Sequence, residues 1–142
     1  MEQRISLITL AVADIRRASA FYRALGWEPA QGPDGVVAFD LIGQTLGLYP
    51  KADLARDMGL DETGIGGFSG ITLAHNVRAK TDVAPLVDRA VAAGARLIKA
   101  PHDVFWGGHI AYFADLDGHV WEIAWNPFSP LGPDGAFQWA GA

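Results

Sequence analysis

The segment Ile8-Thr-Leu-Ala11 recurs as Ile71-Thr-Leu-Ala74, and the same succession of signals follows each copy. Residues 5–12 are short, apolar and flanked by polar residues, which predicts a strand covered on both faces. Asp14 then stands where a helix N-cap belongs. Ile15, Ala18, Phe21, Tyr22 and Leu25 recur at helical spacing, and Gly26 ends that stripe. Residues 27–31 read as a short strand, Gly32-Pro-Asp-Gly35 as a turn, and residues 36–42 and 45–49 as two strands around Gly43-Gln44. After the second copy, Thr81 or Asp82 caps a helix striped by Val83, Leu86, Val87, Ala90 and Val91. Pro85 sits in its first turn and Gly94 ends it. Residues 96–99 give a strand, and residues 104–125 give two more closed by a tight turn.

A chain written twice in this way folds as two βαβββ modules. Neither can bury its apolar faces alone, so the expectation is an α+β domain whose modules pair about a pseudo-twofold axis. Module one covers about residues 5–50 and module two about 68–126. Between them runs a linker, about 51–67, with a weak helical patch at 52–58 and the Gly-rich Thr63-Gly-Ile-Gly-Gly67. A Pro-rich arm, residues 127–142, carries Phe128, Leu131, Phe137 and Trp139, which are expected to pack on the domain or on a partner subunit.

Composition narrows the partners. With 11 basic and 16 acidic residues the net charge is −5, which argues against nucleic acid or an anionic membrane. A small molecule and a second copy of the chain, as a homodimer, are the expected partners. The 142 residues contain no cysteine, so chemistry falls to His, carboxylate, hydroxyl or backbone groups, and a cytoplasmic location is expected. No signal-peptide pattern or membrane-length apolar run appears. Phosphate-loop, dinucleotide and nucleophile-elbow patterns are also missing.

The duplicated pattern, the opening Ile8-Thr-Leu-Ala-Val-Ala-Asp-Ile15 with Ala20-Phe-Tyr-Arg-Ala-Leu-Gly-Trp27, and the closing Phe113-Ala-Asp-Leu-Asp-Gly-His-Val-Trp-Glu122 resemble the vicinal oxygen chelate superfamily. That group holds glyoxalases, bleomycin-resistance proteins and dioxygenases. The resemblance implies a curved mixed sheet enclosing a cup, where many members hold a divalent metal that chelates vicinal substrate oxygens. It further implies metal ligands on the first and last strands of each module, positions that fall here at Leu7, Gly47, Gly70 and Glu122. Only Glu122 can ligate a metal, and one donor of four is a poor site. No cofactor is assigned, a divalent metal bound through Glu122 being the alternative.

Glu122 alternates with Val120 and Ala124, opposite to His119, Trp121, Ile123 and Trp125. A carboxylate among apolar neighbours needs a counter-charge, a hydrogen-bonded network, a metal or a proton. With Asp115-Leu-Asp-Gly118 as the turn, Ala114 pairs with His119, Ala111 lies opposite Glu122, and His109 opposite Ala124 on the Glu122 face. The candidate catalytic residues are therefore Glu122 and His109. The candidate ligand-binding residues are these two with Thr9 and Thr72 on the repeated strands, Tyr49 beside Gly47, and Trp106 as a stacking lid before Gly107-Gly108. His75 is expected at a strand end, and His102 and His119 at the surface. The functional expectation is a superfamily member that binds a small, partly aromatic molecule beside a degenerate metal site; a third reading is a resistance protein that sequesters its ligand without chemical change. The alternative is a lyase, isomerase or dioxygenase using Glu122 with His109.

Overall fold

Strand β1 (Leu7–Val12) is covered on one face only, not two: Leu10 and Val12 are buried while Leu7 and Thr9 are exposed. The computed structural model describes residues 1–32 and 34–139, so Pro33 of the expected 32–35 turn and the last three residues of the arm lie outside the described residues. The described residues divide into two compact units, Met1–Ser69 and Gly70–Ala142. Each holds its own mixed sheet with helices, an α+β architecture.

In the first unit, Asp14 caps α1 (Ile15–Ala24) as predicted, its Oδ1 accepting from the Arg16 and Arg17 amides at 2.9 and 3.1 Å. The helix lays Ala18, Phe21 and Tyr22 into the core. Strands β2 (Val37–Leu41) and β3 (Gln44–Pro50) form a hairpin, and β1 joins β3 in parallel, giving the order β1-β3-β2. Tyr22 stacks on Trp27 at 5.4 Å between ring centres, and both rings lean on Phe39 at 5.8 and 5.7 Å. These rings fix the helix-covered face as that of Phe39, Leu46 and, through the parallel register, Ile8. The strand expected at residues 27–31 is reduced to a single bridge, Ala30 to Ala38. Trp27 turns into this aromatic cluster instead of continuing a ladder. The linker's helical patch is α2 (Lys51–Met58), which packs on β3 and β1, and the Gly-rich stretch beyond it begins with a 3-10 turn at Glu62–Gly64.

In the second unit the strand order is β4-β7-β6-β5, from β4 (Thr72–Asn76), β5 (Arg96–Asp103), β6 (His109–Ala114) and β7 (Val120–Trp125). Among its described residues only the β4–β7 pair is parallel. Helix α3 (Val83–Ala92) packs on β5, β6 and β7 and buries Val83, Val87 and Ala90. Ala111, Phe113, Trp121 and Ile123, all buried, alternate along β6 and β7 to make the apolar layer of this unit.

The two hairpins β5–β6 and β6–β7 close in the same way. Val104 donates to the Gly108 carbonyl (3.0 Å) and Gly107 to that of Val104 (2.9 Å); Asp115 donates to that of His119 (2.9 Å) and Gly118 to that of Asp115 (3.2 Å). Each is a three-residue loop whose last member is a glycine at positive φ, +93° at Gly107 and +90° at Gly118. That geometry suits glycine because a Cβ disfavours the left-handed region.

One hydrogen bond ties the arm to the rest of the second unit and another closes the arm on itself. Arg78 donates to the Pro133 carbonyl at 3.1 Å, and the buried Ser129 hydroxyl donates to the Trp139 carbonyl at 2.5 Å. Phe128, Phe137 and Trp139 stay exposed, whereas Leu131 is half-buried.

Candidate functional site

The β6–β7 loop decides what Glu122 meets. A four-residue connection at 115–118 would pair Ala114 with His119. The observed three-residue loop pairs Ala114 with Val120, Tyr112 with Glu122, and His109 with Trp125. His109 therefore lies on the face opposite Glu122, contrary to the register expected from the sequence, because a one-residue offset turns a strand over. Its Nδ1 contacts Asp103 Oδ1 at 2.7 Å across the mouth of the neighbouring hairpin. Asp103 also receives Lys80 at 2.6 Å, and hydrogen bonds from Lys80 and then His109 hold its carboxyl below the usual carboxylate range.

Tyr112 takes the place expected for histidine. Its hydroxyl donates to Glu122 Oε2 at 2.8 Å, a bond between directly opposed cross-strand residues. Both side chains are half-buried. Burial first, then the hydrogen bond and the charge of Glu122, pushes the phenol up to about 12, so it stays a neutral donor at physiological pH. Alternation with Ile110 and Ala114 is the sequence signal that sets Tyr112 on their face; the three-residue loop is what sets that face against Glu122.

The rest of this face follows from register. Ala74 lies opposite Glu122 and Thr72 opposite Val120, so Thr72 is a diagonal neighbour of the acid, with no hydrogen bond joining them among the described residues. Ile110, Ala114 and Ala124 supply the apolar remainder. Trp106 folds back over Gly108, where any added Cβ would clash with the edge of the indole's six-membered ring. Ladder alternation puts Gly108 on the side of Ile110 and Tyr112, so the indole joins the Glu122 face. His75 lies within β4 and not at its end, exposed on the other face with its register partner Ile123. His102 lies in β5, half-buried, its Nδ1 2.9 Å from the Ala100 carbonyl, and His119 is half-buried at the loop.

The remaining candidates, Thr9 and Tyr49, belong to the first unit. Thr9 stands opposite Gly47, and Tyr49, on the same face, donates to Asp57 Oδ2 at 2.9 Å. That bond raises the Tyr49 pKa. Leu7 covers Gly47, its Cδ1 lying 3.3 Å from where a Gly47 Cβ would stand. Two of the four positions that the resemblance assigns to metal ligands thus form an apolar contact. In the second unit Gly70 offers no side chain and Glu122 is engaged by a phenol. Among the described residues no three His, Cys, Asp or Glu side chains converge to hold an ion. The donor set does not fit a four-ligand metal site.

Similar proteins carry the same architecture. The glyoxalase-related enzyme from Fulvimarina pelagi is 39% identical over 97% of this chain and 99% of its own, with a TM-score of 0.89. A glyoxalase/bleomycin resistance protein/dioxygenase family enzyme from Burkholderia phytofirmans PsJN is 26% identical over 86% of this chain and 98% of its own, with a TM-score of 0.78. A lactoylglutathione lyase from Agrobacterium tumefaciens, 24% identical over 89% of this chain and 96% of its own with a TM-score of 0.66, shares the fold. A comparison with curated proteins returned no match. The family model of the glyoxalase/bleomycin resistance protein/dioxygenase superfamily matches residues 4–123, and this chain belongs to that superfamily.

Proposed function

We propose that the protein binds a small, partly aromatic molecule on the Glu122 face of its second sheet, with Glu122 as the polar anchor and Trp106 as the stacking surface. The observation that carries this reading is the Tyr112–Glu122 hydrogen bond. It holds a half-buried carboxylate in a fixed orientation on a face otherwise lined by Ile110, Ala114 and Val120. An apolar surface with a few converging polar groups is the common form of a small-molecule site. The leucine–glycine contact in the first unit and the single acid in the second favour recognition without a resident four-ligand metal.

An enzymatic reading is supported by the description of the Fulvimarina pelagi relative as a glyoxalase-related enzyme. In that case the companion of Glu122 in proton transfer is Tyr112, since His109 stands on the opposite face. A library of small aromatic compounds tested by native mass spectrometry, and by product analysis with and without Mg²⁺, Mn²⁺, Fe²⁺, Ni²⁺ and Zn²⁺, separates the two. The binding reading expects saturable, unaltered ligand whose affinity falls at least about tenfold in Glu122→Gln. Stoichiometric metal lost on Glu122→Ala, with turnover, would sink it.

A further inference from the structure

A phenol has one O–H, and Tyr112 directs it at Glu122 Oε2. The carboxylate itself offers only lone pairs. Among the described residues Oε1 accepts no hydrogen bond, and Glu122 forms no ion pair. Neither oxygen is a fully enclosed atom lacking a partner, so water reaches Oε1 and a ligand must replace what that water donates. At the pair itself an arriving molecule therefore meets acceptors only, Oε1, the second lone pair of Oε2 and the oxygen of Tyr112, while the neighbouring Thr72 hydroxyl can donate as well as accept. A carbonyl or carboxylate would set lone pairs against lone pairs. A donor completes the pair.

We infer that the Tyr112–Glu122 pair selects ligands that present N–H donors, best a protonated amine or amidine, on a compact aromatic body. This rests on the reading that Glu122 anchors the ligand. Charge-assisted bonds of this type are roughly twice as strong as neutral ones. The indole of Trp106 adds a face that attracts cations as well as rings. The basic residues that share this register, Arg96, Lys99 and His102 opposite Ala114, Tyr112 and Ile110, sit on the edge strand β5. Two strand spacings, roughly 9–10 Å, separate that row from β7. Lys99 is exposed, so water and salt screen it and it does not serve as the acid's counter-ion.

Benzamidine, benzamide and benzoate share one ring and differ only in the head group, and their binding to the full chain can be measured by calorimetry. The expected order of affinity is benzamidine, then benzamide, then benzoate, with at least about tenfold between the first and the last. Glu122→Gln should weaken benzamidine by about tenfold or more and benzamide by less, collapsing the preference. Tyr112→Phe keeps the acid, so benzamidine stays ahead of benzoate, which gives a second test if the Gln variant does not fold. Benzoate equalling or exceeding benzamidine in the natural protein, with all three weakened by Glu122→Gln, would overturn donor selection and leave the anchor reading standing. No saturable binding by any of the three overturns both.

Discussion

Tyr112 and Glu122 stabilise each other, and the arrangement has a pH signature. The folded phenol titrates near 12, above the ordinary tyrosine value of about 10. Below about pH 10 both folded and unfolded chains hold the proton, and the contribution is fully present. As pH rises towards 12 the unfolded chain releases its proton first, so stability falls. Spectroscopic alkaline titration of the natural protein against Tyr112→Phe should isolate this group. Glu122→Gln should lower its pKa only part of the way, because burial is the larger cause and remains. Tyr112→Phe should cost about 1–2 kcal/mol in denaturant unfolding, the worth of a hydrogen bond to a charged group in a half-buried setting. At Gly108 the constraint is steric: Gly108→Ala should expel the Trp106 indole, costing about 1–3 kcal/mol and shifting its fluorescence. An unmoved indole resonance in NMR would contradict that packing. The acid was legible in the sequence because strand alternation alone isolates Glu122 among apolar residues. Its partner was not, because partner identity depends on a loop length that alternation does not encode.

At the scale of elements, the helices were the most legible parts. Asp14, the apolar stripes and the stopping glycines are local signals, and α1 and α3 lie where those signals place them. The strand predicted after α1 failed because Trp27 finds a better environment against Tyr22 and Phe39 than in a ladder, a tertiary preference invisible to local pattern. The glycines that end loops and helices differ in what they tolerate. Gly118 has open space around its missing side chain, so Gly118→Ala should cost only the left-handed backbone penalty, about 1–2 kcal/mol. Gly94, at φ +110°, would in addition push a Cβ to within 2.9 Å of Leu116 Cδ2. Gly94→Ala should therefore cost more, about 2–4 kcal/mol, and loosen the β6–β7 loop. Equal losses in chemical denaturation would show that Leu116 yields freely.

Across the whole molecule, the duplicated pattern led to two modules that carry different groups at the repeated positions. The first unit has turned the shared positions into an apolar contact, Leu7 on Gly47, while the second has kept an acid and given it a phenol. Adding divalent ions should accordingly leave the melting temperature unchanged and yield no stoichiometric adduct dependent on Glu122 in native mass spectrometry; a one-to-one adduct lost in Glu122→Ala would refute this. Both hairpins that frame the Glu122 face close through matched three-residue loops, and this has a consequence for how such a site can change over generations. Drawing Asp115 out of the ladder into a four-residue connection would pair Ala114 with His119 and turn β6 over, withdrawing Tyr112 and bringing His109 to the side of the acid. A change in the length of that bend, with no substitution among the lining residues, thus exchanges a phenol–carboxylate pair for an imidazole–carboxylate pair, and it does so against the cost of turning the buried Ala111 and Phe113 out of the apolar layer.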